Sequence, residues 1–424
     1  MILNLNFKGE EKMRKVISYA LLTGIFSTSF GANLQEIEER LKSLEEQNQQ
    51  LIEEIADLKQ QVEIPELAQK QFSGMGYAAS KVYFTPAGLS IGGYGEIIYQ
   101  RFEKSTKKDI TDIYRFIPYI GYKFSDSIIL NAEVEFEHGA DTSRGGKVKI
   151  EFAYLDFLFN RWVNLRVGSY LIPVGITNLL HEPVFFNSVN RPEVETNIIP
   201  TTWNENGILL FSNMENWNYY IGVANGFYYT GFSSKKWVKG GRQAGGKAYA
   251  EDFAFVGRVD YTGIDGLMVG VSGYSGNSGQ GDGFDGRVSM YDFHLRYSYK
   301  NLEITGLYVK GFLTDADKIS LAVGDTVAKE VYGYYLNLAY DVMPFIKSDT
   351  DLSLPVFVRY ERYNTQEKVP AGFTKNNQYD KTIWTVGLNL KPHPNVVLKA
   401  DYQIRDNKAY NESDIFELGI GFIF

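Results

Sequence analysis

The feature that most constrains the fold is a period-two alternation of apolar with polar or small side chains, which recurs in about sixteen segments after Gly88. This alternation gives a β-strand one apolar and one polar face. In "YDFHLRYSY", residues 291–299, aromatic and apolar side chains alternate with Asp292, His294, Arg296 and Ser298. The segments span 89–102, 112–124, 127–137, 148–159, 163–172, 207–212, 217–225, 253–261, 267–274, 289–299, 302–312, 331–341, 355–363, 381–390, 395–406 and 413–424.

The connections between these segments fall into two length classes. Those after even-numbered strands are mostly tight turns, apart from 342–354, whereas those after odd-numbered strands are long and rich in Gly, Asp, Asn and Lys. Long loops on one rim, short turns on the other and an even strand number are typical of outer-membrane barrels. We therefore predict an all-β fold, a 16-stranded antiparallel transmembrane β-barrel over residues 88–424, preceded by a short N-terminal coiled coil.

The last ten residues, "IFELGIGFIF", alternate up to Phe424. A barrel in a membrane must satisfy every backbone polar group by closing its sheet, so the last strand should pair with the first. Phe424 would then lie at the lipid boundary.

The N-terminus has the plan of a secretory signal. "MRKVISYALLTGIFSTSFGA" places two basic residues before an apolar core that is too short to span a bilayer as a helix. We predict a signal peptide over residues 1–32 with the true start at Met13; a buried N-terminal helix is the alternative. The chain has no cysteine, and its net charge of -8 without a basic stripe argues against nucleic-acid binding.

Residues 33–64 carry heptads with apolar side chains at most a and d positions. A lone helix would leave this narrow seam unburied, so we predict a periplasmic coiled coil, with a solvated spacer helix as the alternative. Pro65 ends the segment, and 65–87 is predicted to be a linker. The seam residues are Leu34, Leu41, Asn48, Ile55 and Val62 at a, and Ile37, Leu44, Leu51 and Leu58 at d.

The connection 173–206, between the fifth and sixth strands, is unusually apolar for a loop that faces water. Folding inward against the barrel wall would bury its apolar side chains and narrow the pore, while its four prolines would stiffen its path. The alternative is an external lid that stabilises a contact between subunits. The apolar residues are Leu179, Leu180, Val184, Phe185, Phe186, Ile198, Ile199 and Trp203.

A barrel of sixteen strands leaves a water-filled channel, so inward side chains should set its selectivity. Acidic and basic residues nearly cancel on the predicted inner face, and neighbours such as Arg258 with Asp260 and Arg359 with Glu361 could pair along one strand. The predicted pore-lining or constriction residues are Arg115, Lys123, Glu133, Glu135, Arg166, His181, Glu182, Arg191, Glu193, Glu195, Glu205, Arg258, Asp260, His294, Arg296, Arg359 and Glu361.

These features predict a porin in the outer membrane that allows passive diffusion of small hydrophilic solutes or ions. The alternative is a structural tether that contacts the cell wall through the coiled coil. We predict no enzyme, no metal site and no cofactor, because the four histidines are scattered and no sequential nucleophile motif is present. A barrel enzyme with a Ser–His pair distant in sequence stays open at this stage.

The string "VGSYLIPVG", followed by a long insertion with "NRPEVE" and "IIPTTWNENG" and by "YGE", "GRVDY" and "RYERY" motifs, resembles the phosphate-selective porin O and P family. The resemblance covers about Gly88 to Phe424. It implies a 16-stranded homotrimer in outer-membrane lipid, with the third loop folded into the channel. Phosphate-binding members line the pore with arginines and lysines, whereas this chain has a nearly balanced predicted lumen and an acidic loop, which puts phosphate selectivity in question.

Overall fold

The computed structural model describes residues 40, 42–54, 70–347 and 349–424. The predicted signal peptide and much of the predicted coiled coil lie outside these residues. Residues 42–54 are helical, and the seam side chains Leu44 and Leu51 are about half exposed, at 52% and 53%. None of the helices in the described ranges is long and apolar enough to cross a membrane.

Sixteen antiparallel strands close into one barrel, in which each strand pairs with its sequence neighbours and β1 pairs with β16. This confirms the predicted fold class. The strands are β1 Gly88–Phe102, β2 Ile110–Ser125, β3 Ile128–Glu137, β4 Lys147–Leu158, β5 Asn164–Leu171, β6 Asn204–Phe211, β7 Trp217–Asn225, β8 Phe253–Tyr261, β9 Leu267–Gly276, β10 Val288–Tyr299, β11 Leu302–Leu313, β12 Glu330–Asp341, β13 Pro355–Lys368, β14 Asp380–His393, β15 Val396–Asn407 and β16 Ile415–Ile423.

The barrel closes at its C-terminal residue. The backbone N–H groups of Gly93 and Phe424 each donate to the other's carbonyl oxygen, at 2.9 Å. The aromatic rings of Phe422 and Phe424 lie over Gly95 and Gly93, where an added Cβ would come within 2.4 and 2.8 Å of a ring atom. Glycine at these two positions therefore makes room for the terminal aromatic side chains.

The outer face of the barrel is apolar and the inner face is polar. Large side chains such as Ile221, Phe255 and Phe293 are exposed on the outside, at 61%, 70% and 56%. Charged side chains on the same strands, including Arg258 and Asp292, are buried inside. This arrangement follows from the period-two alternation, because each apolar side chain that faces out places its neighbours inward.

A helix over Tyr77–Phe84, hereafter the internal helix, packs against the inner side of β1, β2 and β3. Six of its eight side chains are buried, as expected for a helix surrounded by protein. Gly121 leaves the space that Val82 fills, since a Cβ there would lie 2.5 Å from Cγ2 of Val82. The sequence analysis predicts a linker over 65–87. In the structure, the described part of this segment, residues 70–87, contains the internal helix and contributes to the barrel interior.

The remaining helical segments lie in the connections. Four-residue and longer α-helices span Val194–Asn197, Ala316–Val323 and Met343–Ile346, and single 3-10 turns span His138–Ala140, Thr142–Arg144, Pro183–Phe185, Tyr229–Gly231, Lys239–Gly241 and Asn377–Tyr379.

Candidate functional site

The connection between β5 and β6, residues 172–203, lies within the barrel. Its predicted apolar residues are buried, with Ile198 and Trp203 fully so and Phe185 and Phe186 in part. Polar contacts join the loop to strands on opposite parts of the wall. On β1 and β2, Tyr94 Oη lies 3.2 Å from Nη2 of Arg191 and Tyr119 Oη lies 3.1 Å from Nε2 of His181. On β12 and β15, Asn337 Nδ2 donates to Oδ1 of Asn187 at 2.7 Å and Asp401 Oδ2 accepts the backbone N–H of Val189 at 2.6 Å.

The same loop holds the internal helix. The carboxylate of Glu182 accepts hydrogen bonds from the backbone N–H groups of Ala78 and Ala79, at 3.3 and 3.0 Å, which satisfies donors that a helix N-terminus leaves without partners. Gly76 permits this approach, because a Cβ there would lie 2.3 Å from Oε1 of Glu182. Burial raises the pKa of Glu182 to about 7.

A cavity of about 520 Å³ opens toward the long-loop end of the barrel. We call it the basic vestibule, since nine of its lining residues are basic and Glu193 is the acidic one. The basic residues are Lys107, Arg115, Arg191, Lys235, Lys236, Lys239, Arg359, Lys381 and Arg405.

Three of these lysines come from the connection 226–252, which is anchored by Trp237. The indole is fully buried, its Nε1–H donates to the carbonyl oxygen of Ala328 at 3.1 Å, and it packs where Gly311 has no side chain. Burial, together with the nearby Arg242 and Lys236, lowers the pKa of Lys239 to about 7. The sequence analysis places 226–252 among the long connections but assigns it no part in lining the lumen, although a tryptophan inside the basic run "KKWVKG" was a usable signal.

Positive charge exceeds negative charge in the basic vestibule. Arg115, Arg359 and Arg405 have carboxylate partners, namely Glu96 at 2.7 Å, Glu361 at 2.9 Å and Glu193 at 2.6 Å. Within the described part of the chain, no carboxylate lies within 4.0 Å of five other basic side chains, those of Lys107, Arg191, Lys235, Lys236 and Lys239. Arg405 holds the pKa of Glu193 below its ordinary value although burial opposes this, so Glu193 is ionised and offsets one charge.

A second cavity, of about 340 Å³, opens toward the short-turn end and is lined by residues that include Arg296, Glu303, Asp351 and Lys391. A gap of about 20 Å³ lies between the two cavities. It shares Arg359 with the basic vestibule and Phe185 with the short-turn cavity. Residues 172–203 contribute to the lining of all three spaces.

Of the predicted site residues, Arg115, Arg191, Glu193 and Arg359 line the basic vestibule and Arg296 lines the short-turn cavity. The predicted strand neighbours do pair, since Arg258 contacts Asp260 at 2.7 Å and Arg359 contacts Glu361 at 2.9 Å. The rest contact other groups of the protein: Lys123 (Thr85, Asp126), Glu133 (His181), Glu135 (Arg115, Lys149), Arg166 (Asp156, Tyr83), Glu182 (Ala79), Glu195 (Ile176, Thr177, Tyr335), Glu205 (Trp203, Gln243) and His294 (Asp260, Asp292).

The predicted charge arrangement around the loop is corrected in one respect. Of the four glutamates predicted at the constriction, Glu193 faces a basic residue of the wall, with its Oε1 2.6 Å from Nη2 of Arg405. Glu182, Glu195 and Glu205 instead accept hydrogen bonds from backbone N–H groups and from neutral side chains. Charges that nearly cancel when counted along the sequence are therefore separated in space.

Several solved outer-membrane proteins have the same fold. The structure is similar to the outer membrane channel DcaP of Acinetobacter baumannii, with a TM-score of 0.54 and 12% identity over 80% of this chain and all of that one. It is also similar to OmpF of Salmonella typhi, with a TM-score of 0.53 and 13% identity over 79% and 97% of the chains. The structure is also similar to OmpT of Vibrio cholerae, with a TM-score of 0.51 and 12% identity over 80% of this chain and 99% of that one.

No family model matches the sequence. An uncharacterized protein of Aquifex aeolicus strain VF5 is 36% identical over 438 residues, which cover 96% of this chain and 99% of the relative. The similarity therefore spans nearly the whole of both chains. The chain therefore belongs to the same protein family as the Aquifex aeolicus protein.

Proposed function

We propose that the protein is an outer-membrane porin through which small hydrophilic solutes or ions diffuse passively. The observation that carries this proposal is a closed 16-stranded barrel whose interior holds a cavity toward each rim, both lined in part by residues 172–203. The apolar outer face fits a lipid surrounding, and the polar interior fits a hydrated path. The fold shared with outer-membrane channels is in keeping with this function.

The channel favours anions in this proposal. Solutes that enter from the long-loop end meet the basic vestibule, where five basic side chains have no carboxylate partner among the described residues. A cavity lined by one sign of charge concentrates ions of the opposite sign. In this proposal residues 172–203 narrow the channel, and the small volume of the gap beside them, about 20 Å³, favours small solutes and ions.

Planar-bilayer recording of the purified protein tests both parts of the proposal. We expect stepwise single-channel conductance, and a reversal potential in a potassium chloride gradient whose sign reports chloride as the more permeant ion. Replacing Lys235, Lys236 and Lys239 by Gln should move the reversal potential toward that of an unselective pore, because the vestibule then loses three charges.

The matched control replaces Lys318, an exposed lysine outside the vestibule, by Gln and should leave the reversal potential unchanged. Absence of stepwise conductance would refute the channel. Stepwise conductance with preference for potassium would refute the anion preference alone.

The proposal also includes self-association into a homotrimer, with the coiled coil in the periplasm. Leu44 and Leu51 occupy d positions of the heptad pattern and are exposed in the single chain, so an apolar seam is available for a second and third copy. Native mass spectrometry in detergent should find three chains, and deletion of residues 33–64 should weaken the assembly. A monomer at all concentrations would contradict this part of the proposal.

A further inference from the structure

Three buried side chains with metal-binding atoms converge where the loop 172–203 meets the wall. Glu133 of β3, Glu151 of β4 and His181 of the loop each offer one ligand atom, and these atoms all lie within 4.8 Å of one another. All three residues are at most 1% exposed. The sequence analysis predicts no metal site. The three residues are distant in the chain, and the fold brings them together.

The placement of Glu151 depends on a β-bulge. Glu133 pairs with Phe152 and Val134 pairs with Ile150, so Glu151 is the extra residue in β4 between two successive pairs. Both Glu151 and Phe152 are buried, although neighbours along a regular strand face opposite sides. The bulge thus turns an additional carboxylate toward the interior, and bulges commonly re-aim side chains at functional sites.

The orientation of His181 leaves one ring nitrogen directed at the carboxylates. Its Nδ1 lies 3.0 Å from the carbonyl oxygen of Asn178, which can only accept, so Nδ1 carries the proton. Nε2 lies 3.3 Å from Oε1 of Glu133 and 3.1 Å from Oη of Tyr119. With the proton on Nδ1, the neutral ring carries its lone pair on Nε2, which lies beside a carboxylate oxygen of Glu133.

Acidic side chains outnumber basic ones around these residues. Arg115 contacts Glu96 at 2.7 Å and Glu135 at 3.3 Å, and Lys149 contacts Glu135 at 2.7 Å and Glu151 at 3.0 Å. Four carboxylates, including that of Glu133, thus face two basic side chains. Arg191 reduces the excess without removing it, because it binds the backbone oxygen of His181 at 2.9 Å and no carboxylate.

Several carboxylate oxygens at this position also have no hydrogen-bond donor. Oε2 of Glu133 and both oxygens of Glu151 are buried without a hydrogen bond within the described residues. Lys149 lies within ion-pair distance of Glu151 but outside hydrogen-bond geometry, so it compensates charge without satisfying the oxygen lone pairs. A buried acceptor without a donor needs an explanation, and a bound water or ion is one.

We propose that Glu133, Glu151 and His181 bind one divalent first-row transition-metal cation. An imidazole nitrogen with two carboxylates suits such ions better than calcium or magnesium. The observed separations, all within 4.8 Å, fit a single ion, since ligand atoms on opposite sides of an ion at about 2.0–2.4 Å would be about 4–5 Å apart. The hydrogen bond from Nδ1 to Asn178 is of the kind that orients metal-binding histidines. The cation would fasten the loop 172–203 to β3 and β4.

Zinc is the probe for the test. Purified full-length protein in detergent is treated with a chelator, dialysed against micromolar zinc, and analysed for bound metal by mass spectrometry. We expect one zinc per chain. Glu151→Gln and His181→Ala should each weaken zinc binding about tenfold or more, whereas Glu361→Gln and His294→Gln, which alter a buried glutamate and a buried histidine elsewhere in the lumen, should retain it.

A second measurement needs no variant and so does not depend on how well a variant folds. Pulsed electron paramagnetic resonance of the copper-loaded wild-type protein should show coupling to a single histidine nitrogen. A wild-type protein without stoichiometric zinc, equal binding by Glu151→Gln, or a spectrum without nitrogen coupling would each overturn the proposal.

Discussion

Glu182 caps the internal helix at Ala79: Oε1 of the glutamate accepts the backbone N–H of Ala79 at 3.0 Å, across 103 residues of sequence. The loop 172–203 and the segment before the first strand are therefore one packed unit inside the barrel. Among the described residues of both, none forms a backbone–backbone hydrogen bond to a strand of the wall, so their positions depend on contacts of this kind.

Replacing Glu182 by Ala should loosen the internal helix. Two backbone donors, those of Ala78 and Ala79, would lose their acceptor in a buried site, at a cost of about 1–3 kcal/mol. We expect a lower thermal unfolding temperature and, if the helix leaves its groove, a larger single-channel conductance. Glu215→Ala, in an exposed turn, is the control. Unchanged stability and conductance in Glu182→Ala would show that the cap is dispensable.

The groove for the internal helix provides a second test. Gly121→Val would place side-chain atoms on Val82, since the Cβ alone would lie 2.5 Å from Cγ2. Overpacking of this kind costs about 1–3 kcal/mol, and we expect it to appear as a lower thermal unfolding temperature.

The effect should be largely relieved by adding Val82→Ala, because residues in contact give non-additive changes. Gly306→Ala serves as the control, since a Cβ at that position meets its nearest atoms at an ordinary 3.4 Å. If the double variant loses as much stability as the two single variants together, the helix does not occupy this groove.

The strands were predictable because alternation is a local property. The predicted bounds of β7, 217–225, and of β8, 253–261, agree with the structure at both ends. The pairing of β1 with β16 was also predictable, because a barrel in lipid cannot leave a free sheet edge.

The parts that escaped prediction depend on distant contacts. The internal helix is short and buried nearly all round, so it shows no amphipathic pattern. The separation of the inner-face charges depends on which carboxylates the fold uses internally, as with Glu195 and the backbone of Thr177 at 2.7 Å. Glu151 faces inward because of a bulge, which no alternation pattern indicates.

Trp237 allows the position of the lysine-bearing loop to be tested without removing a charge from it. Trp237→Ala should cost about 3–5 kcal/mol locally, because a fully buried indole is lost from its site beside Gly311. We expect the loop to withdraw and the anion-to-cation permeability ratio to fall toward that of the triple lysine variant. Trp384→Ala is the control, since that side chain is 46% exposed on the outer face. A permeability ratio equal to wild type would show that the loop holds its lysines by other contacts.

Lys239 should make anion preference depend on pH near neutrality. Its pKa of about 7 means that the ammonium group is charged below pH 7 and loses its proton as the pH rises. Arginines and ordinary lysines keep their charge up to about pH 10. The anion-to-cation permeability ratio, measured from reversal potentials between pH 5 and 9, should therefore decrease as the pH rises through about 7. Glu182, whose pKa is also about 7, adds negative charge over the same range. Lys239→Arg keeps a charge across that range and should therefore diminish this step, whereas Lys318→Arg should leave its size unchanged. A step of wild-type size in Lys239→Arg would assign the titration to another group, because arginine cannot release its proton at these pH values.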